Sequence, residues 1–172
     1  MKIGPKDYMI MLPAYNEEAC LIDLLPEVRR LHPQTEIVVI SDGSRDRTAA
    51  VARALGATVL NLPCNLGVGG AVQAGFRYAL ERGYACVVRI DGDGQHEPED
   101  IGLMLRRMEQ GDVDLVVGSR FGGQNACVST RLRYVGIRSL AWFLSWICRA
   151  PIQDPTSGFW LVNRPLLRLF AA

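Results

Sequence analysis

Val87-Val88-Arg89-Ile90-Asp91-Gly92-Asp93-Gly94-Gln95-His96 reads as an apolar strand that runs into two carboxylates one residue apart, then glycine, an amide and an imidazole. In extended backbone, residues i and i+2 point to the same side, so Asp91 and Asp93 can face one point just past the strand's end. Two hard oxygen ligands at one point suit Mg²⁺ or Mn²⁺, especially where a bound diphosphate supplies further oxygens. Gly92 and Gly94 let the backbone turn and let a bulky group come close. The same residues also fit a plain turn whose acids only cap the next helix. What decides between the two readings is the set of residues at the other strand ends.

On the N-terminal side, residues 9–12 form a short apolar run stopped by Pro13, the pattern of a buried parallel strand. Residues 13–18 follow as a loop, with Asn16 placed to cap a helix that starts near Glu17 and carries Leu21, Leu24, Leu25, Val28 and Leu31 as an apolar stripe. Residues 37–40 are a second apolar strand, leading into Ser41-Asp42-Gly43-Ser44 and a helix with Ala50, Val51, Ala54 and Leu55 inward. Residues 58–60 are a third. The segment 65–70 opens a helix carrying Val72, Phe76, Tyr78 and Leu80 that Gly83 closes. Beyond the fourth strand, Pro98 and its neighbouring acids start a helix with Ile101, Leu103, Leu105 and Met108 as its apolar positions. A fifth strand, residues 115–117, leads into Gly118-Ser119-Arg120.

Strands that are apolar throughout, alternating with helices, predict a three-layer α/β/α fold around a mainly parallel central sheet. Ligands bind such sheets beyond the carboxyl ends of the strands. Residues 13–17, 41–44, 91–96 and 118–120 all fall at those ends, which favours a shared site over four unrelated turns.

Composition sets the outer bounds. The chain has 172 residues, enough for one domain, with 19 basic against 18 acidic residues and no long run of one sign, so nucleic acid is not implied as a partner. Five scattered cysteines without CxxC spacing argue against a disulfide framework or structural zinc and fit a reducing compartment. No run approaches the about 20 apolar residues of a membrane-spanning helix. The longest, residues 135–148, contains Arg138. A cytoplasmic protein is expected, peripheral on the cytoplasmic face of a membrane if it touches one.

After Arg120 the pattern changes. Residues 122–130 are polar and glycine-containing, the composition of a mobile loop. Residues 131–149 read as a helix in which Trp142/Trp146 and Phe143/Ile147 pair at i, i+4 spacing. Their simplest reading is buried core; the alternative is a helix lying on a membrane surface. Residues 154–160 form another turn-rich segment, followed by strand-like Leu161-Val162 and a last helix from Pro165. The chain stops just after an apolar helical stretch, which suggests a single catalytic domain spanning residues 1–172 that is a fragment or lacks a C-terminal extension, with a membrane partner as a further expectation.

With these residues assembled, the chain resembles the family 2 glycosyltransferases of GT-A fold, in the branch of dolichol-phosphate mannose synthase and bacterial polyprenyl-phosphate glycosyltransferases. The resemblance rests on PAYNEE (residues 13–18), SDGSRDRT (41–48), NLGVGGAVQAGF (65–76), DGDGQH (91–96), GSRF (118–121) and DPTSGF (154–159), in the family's order. It implies a nucleotide-diphosphosugar donor. Pro13, Tyr15 and Glu17 fall where that family holds the nucleoside, and Asp42 where it meets the base. Asp91, Asp93 and Gln95 match the metal and diphosphate site. Arg120 and one of Arg131 or Arg133 match basic residues that meet an acceptor phosphate. Ser41 replaces an aspartate usual in that family, Gly92 an alanine, and Trp160 an arginine common after SGF.

Read on their own, several of these residues keep two roles open. Asp42 can bind donor, close a turn or cap a helix. Tyr15 can stack on a base or pack on the rim. Arg120 can be a phosphate contact or a surface cation. His96 can neighbour a metal, touch an acceptor or cap a helix. The glycine-rich segment 65–75 lacks the lysine of a P-loop and reads better as a helix packed closely through its glycines.

The activity expected from the resemblance is inverting, metal-dependent transfer of a sugar from a nucleotide diphosphate to a polyprenyl phosphate, with catalytic roles for Asp93, Arg120 and Arg131. A saccharide hydroxyl acceptor would need a base, for which the acids near Asp154 are the candidates. A non-catalytic nucleotide-sugar-binding module is the other alternative. An NAD-dependent oxidoreductase is disfavoured because no GxGxxG follows the first strand.

Overall fold

The computed structural model describes residues 2–91, 98–118, 141–143, 145–147, 154 and 156–171. Asp93, Gln95, His96, Arg120, Arg131 and Arg133, and the loop expected at 122–130, lie outside them. Strands β1 (Tyr8–Ala14), β2 (Glu36–Asp42), β3 (Thr58–Leu62), β4 (Cys86–Arg89) and β5 (Leu115–Val117) fall where the apolar runs predict. Helices α1 (Glu18–Leu31), α2 (Thr48–Ala54), α3 (Gly67–Arg82) and α4 (Ile101–Glu109) alternate with them.

A sixth strand, β6 (Trp160–Asn163), precedes the last helix, α5 (Arg164–Phe170). The sheet order is β3-β2-β1-β4-β6-β5. Pairing is parallel among β1 to β4, whereas β6 is antiparallel to both β4 and β5. The step from β4 through α4 to β5 leaves a gap one strand wide, and β6 fills it in the reverse direction. The three-layer, mainly parallel architecture holds, with one inverted strand.

The layers follow from strand alternation. Ile10, Leu12, Ile37, Val39 and Val88 point to a core shared with Leu21, Leu25, Val28, Ala52, Ile101 and Met104, from α1, α2 and α4. Met9, Met11, Val38, Ile40 and Val87 point to the other face, against Ala71, Phe76 and Ala79 of α3 and Leu167 of α5. Each fully buried side chain of this kind contributes about 1.5–3 kcal/mol. Gly75 lets α3 close on the sheet: a Cβ there would lie 2.4 Å from Met11 Sδ and 3.2 Å from Ile40 Cδ1. The close-packing reading of that glycine segment is met at Gly75, whereas an added Cβ at Gly67 or Gly69 would meet nothing within 4 Å.

Three expectations are corrected. On α2 the buried residues are Thr48 and Ala52, while Ala50 and Ala54 are exposed and Val51 and Leu55 half-buried, because the helix meets the sheet one position off the expected stripe. Asn16 does not cap α1. It sits at φ 57°, and its Oδ1 accepts from the Arg45 N–H at 2.8 Å, so it ties the loop after β1 to the loop after β2. The stretch 141–147 is helical in its described residues, but Ala141 is its buried member, while Trp142 is 73% and Trp146 70% exposed. The i, i+4 stripe is real, yet it faces outward rather than into the core.

Ser41, the departure from the family pattern, is fully buried and its hydroxyl has no hydrogen-bond partner among the described residues. Alternation along β2 turns it to the face opposite Asp42. At the far end of the same strand, Glu36 accepts from Thr58 Oγ1 and Tyr78 OH, each at 2.8 Å, and from Tyr84 OH. Burial raises the Glu36 carboxyl, but these donors and Arg82 outweigh it and hold it below its ordinary value. That cluster fastens α3 to β2 at the end of the sheet away from the strand tips.

Candidate functional site

The carboxyl ends of β1, β2 and β4 open into one cavity of about 460 Å³. Pro13, Tyr15 and Glu17 line it from the end of β1 and the loop beyond, Asp42 from β2, and Asp91 from just past β4. The cavity thus gathers five residues that the sequence singled out. Asn65, Gly67 and Val68, at the start of α3, form part of its wall, as does Arg89.

The rim is held by side chains rather than by packing alone. Glu17 N–H donates to Thr48 Oγ1 at 2.9 Å and Glu18 N–H to Asp46 Oδ2 at 3.2 Å. Asp46 also accepts from the Thr48 amide at 2.9 Å. Burial pushes the Asp46 carboxyl up, but the Thr48 hydroxyl and amide and the Glu18 amide hold it below its ordinary value. It therefore stays ionised at the start of α2, where the helix dipole favours an anion.

Asp42 is 3% exposed, and its Oδ1 accepts from the Leu66 N–H at 2.8 Å. This bond joins the tip of β2 to the loop that starts α3, so the Asp42 carboxylate ties two distant segments together rather than closing a turn of its own, while the residue also borders the cavity. Asn65 Oδ1 accepts from the Gly67 N–H at 2.9 Å. The start of α3, a helix of 16 residues, thereby abuts the cavity, and unpaired amides at such an end favour anions. Tyr15 is 44% exposed on the rim, open to a stacking partner.

Asp91 is held from two sides. Arg89 Nη2 donates to its Oδ1 at 2.5 Å. The Gly158 backbone lies so close that a Cβ there would sit 1.5 Å from Asp91 Oδ2. The loop bearing Gly158 is fixed in turn: Ser157 Oγ donates to the Gly118 carbonyl at 2.6 Å, and Gly118 N–H to the Phe159 carbonyl at 2.8 Å. Asp154, the other acid of that loop, is 5% exposed, and its Oδ1 accepts from the Thr156 amide at 3.2 Å and hydroxyl at 3.0 Å.

Among the described residues no three metal-ligating side chains converge. Asp91 by itself fits a hard cation: it is a carboxylate, 31% exposed, on the cavity wall. Its expected companions Asp93 and Gln95 lie outside the described residues, as do Arg120 and Arg131. Arg89 is the residue the sequence reading passed over. Its signal is a charge at the end of a strand that is otherwise apolar on both faces.

A mainly parallel α/β sheet with a cavity at its strand tips is the architecture of the GT-A class, in which comparison with solved structures places it. The structure is similar to glucosyl-3-phosphoglycerate synthase from Mycobacterium tuberculosis, solved with Mn²⁺, UDP and glucosyl-3-phosphoglycerate, with a TM-score of 0.68 at 24% identity over 94% of this chain and 58% of that one. The sequence matches the profile of Glycosyl transferase family 2 over residues 9–168, and the chain belongs to that family. It is 32% identical to the polyprenol monophosphomannose synthase of Mycolicibacterium smegmatis, over 92% of this chain and 62% of the relative. It is 38% identical to the undecaprenyl-phosphate mannosyltransferase of Micrococcus luteus, over 65% of this chain and 47% of the relative. The chain thus spans about half to two thirds of the length of these relatives.

Proposed function

We propose that this chain carries the catalytic domain of a glycosyltransferase that moves a sugar from a nucleoside-diphosphate donor to a polyprenyl phosphate, with inversion at the anomeric carbon. The observation that carries the reading is the convergence of Pro13, Tyr15, Glu17, Asp42 and Asp91 from three strand ends on one cavity. Two relatives named for polyprenyl-phosphate acceptors support it.

In this reading Tyr15 stacks on the base, Pro13 and Glu17 border the nucleoside, and Asp42 meets the base edge. The start of α3 faces the diphosphate. Asp91, Asp93 and Gln95 would hold Mg²⁺ or Mn²⁺, which supplies positive charge against the departing nucleoside diphosphate. Arg120 and Arg131 orient the acceptor phosphate for attack from the opposite face of the sugar. A phosphate oxygen is already an anion near neutral pH and needs no base. A saccharide hydroxyl would need one, and buried Asp154, engaged by Thr156, is poorly placed to serve.

The test screens nucleotide sugars with Mn²⁺ against a polyprenyl phosphate, a saccharide and water, reading released nucleoside diphosphate. Transfer to the lipid phosphate is expected. Transfer to the saccharide, or binding without turnover, would replace the reading. Asp93→Ala is expected to weaken Mn²⁺-dependent binding of UDP or GDP by about 100-fold, the cost of removing a charged group from a diphosphate site, with the melting temperature unchanged. Calorimetry reads the first and thermal unfolding the second.

Among the described residues no helix is long and apolar enough to cross a membrane. A lipid acceptor brings the protein to a bilayer, and we propose that it meets the cytoplasmic face. The outward Trp142, Phe143, Trp146 and Ile147 fit that contact, since Trp favours the headgroup level. Trp142→Ala/Trp146→Ala is expected to lower binding to phospholipid vesicles in sedimentation by about tenfold, consistent with about 1.5 kcal/mol or more of lost apolar burial. Turnover of a water-soluble short-chain acceptor should stay within twofold of wild type, by order-of-magnitude expectation for a change away from the cavity.

A further inference from the structure

Arg89 occupies a position that strand alternation assigns to the core. It follows Val87 on the α3 side of the sheet, and only 14% of its side chain is exposed. A buried guanidinium is costly unless it is paired. Here the pairing is incomplete: Nη2 is bonded to Asp91 Oδ1 at 2.5 Å, while Nε is buried with no hydrogen-bond partner among the described residues. The group is held in place from the next strand. Arg89 and Trp160 face each other in the β4–β6 register, and the guanidinium carbon stands 5.2 Å from the Trp160 ring centroid. Trp160, the departure from the family pattern after SGF, is thus the platform for a cation one strand away.

Arg89 lines the same cavity as Asp91 and the start of α3. A rigid, forked, permanently charged donor at that place matches the oxygens of a diphosphate. It also competes for Asp91 with any divalent cation, because one carboxylate oxygen cannot fully serve both.

We infer that Arg89 is a positioning residue with two successive partners: it holds Asp91 in the ligand-free protein and, once a divalent cation takes that carboxylate, it turns its donors to the diphosphate of the nucleotide. The Trp160 ring keeps the guanidinium on the cavity wall through the exchange. This deepens the donor-binding reading above and rests on it.

The exchange makes two predictions of opposite sign for Arg89→Met, a change that keeps the apolar stem. Mn²⁺ alone, titrated by calorimetry or by its paramagnetic resonance signal, binds about threefold or more tighter than to wild type, since the competing cation is gone. UDP or GDP at saturating Mn²⁺ binds about ten- to hundredfold weaker, while uridine or guanosine binds as to wild type. A residue that served only the fold would move all three affinities together, or none. Arg89→Lys keeps the charge but loses the fork. It should leave Mn²⁺ affinity at the wild-type value and still weaken the diphosphate, and it decides the matter if the methionine variant does not fold. Unchanged Mn²⁺ affinity in Arg89→Met, or equal losses for nucleoside and nucleoside diphosphate, overturns the assignment. Wild-type protein that binds neither Mn²⁺ nor a nucleoside diphosphate overturns the donor reading itself and this inference with it.

Discussion

Gly158→Ala is expected to remove Mn²⁺-dependent binding of a nucleoside diphosphate, by about 100-fold, while the protein stays folded. A methyl carbon at that position would lie 1.5 Å from Asp91 Oδ2, 2.2 Å from Cγ and 2.5 Å from Oδ1, so the two groups cannot share the space. One of them must give. The Gly158 backbone is braced on one side by the Ser157 bond to Gly118 at 2.6 Å and on the other by Phe159, which is 2% exposed. Asp91 is the end of a side chain just past its strand, and it is the group that moves. Its departure from Arg89 leaves a mostly buried guanidinium without its counter-ion, which costs about 1–3 kcal/mol at a site still partly open to water. Calorimetry with Mn²⁺ and UDP or GDP reads the binding loss, and urea unfolding reads the stability. The double variant Gly158→Ala/Asp91→Ala should bind no worse than Asp91→Ala alone, because both changes act through one carboxylate. Wild-type binding by Gly158→Ala would mean that Asp91 is not held in its ligand-binding pose.

Much of this arrangement is legible in the sequence, for a physical reason. Strands covered on both faces must be apolar throughout, so β1, β2 and β4 stand out as short apolar runs, and the cavity-lining Pro13, Tyr15, Glu17, Asp42 and Asp91 appear where each run ends. What is not legible depends on direction or on distant neighbours. Leu161-Val162 marks a strand but is too short to reveal that β6 runs antiparallel between β4 and β5. The spacing of Trp142 and Trp146 defines a stripe but not the side it faces, and the structure turns it outward. Asn16 has the composition of a helix cap, yet its side chain is claimed by Arg45 across the rim, where a tertiary bond wins over the local one. Arg89 sits inside an apolar run whose pattern draws attention to the acids beyond it. Its surroundings come from afar: Trp160 on the inserted strand stands beside its guanidinium, and Gly158 in the loop before that strand presses on its partner Asp91.

Gly43→Ala is expected to cost about 2–5 kcal/mol, the sum of about 1–2 kcal/mol for a left-handed backbone with a side chain and about 1–3 kcal/mol for overpacking. Gly43 has φ +64°, and a Cβ there would lie 2.5 Å from both Asn65 N and Cys64 C, with Cys64 Cα at 3.0 Å. These are backbone atoms, so no side chain can rotate away. Relief requires the tip of β2 and the loop before α3 to part. The first bond to suffer is Asp42 Oδ1 to Leu66 N–H, at 2.8 Å. That bond sets the distance between the β2 wall of the cavity and the α3 wall, so stability and nucleotide binding should fall together. Gly56 separates the two contributions. It has φ +80° but nothing within 4 Å of its added Cβ, so Gly56→Ala carries the conformational part alone, about 1–2 kcal/mol. Urea unfolding of both variants should show Gly43→Ala the worse by about 1–3 kcal/mol, the contact part, with calorimetric binding of UDP or GDP lost in Gly43→Ala and kept in Gly56→Ala. Equal destabilisation by the two would show that the loop before α3 yields freely, and that the β2 tip does not fix the width of the cavity.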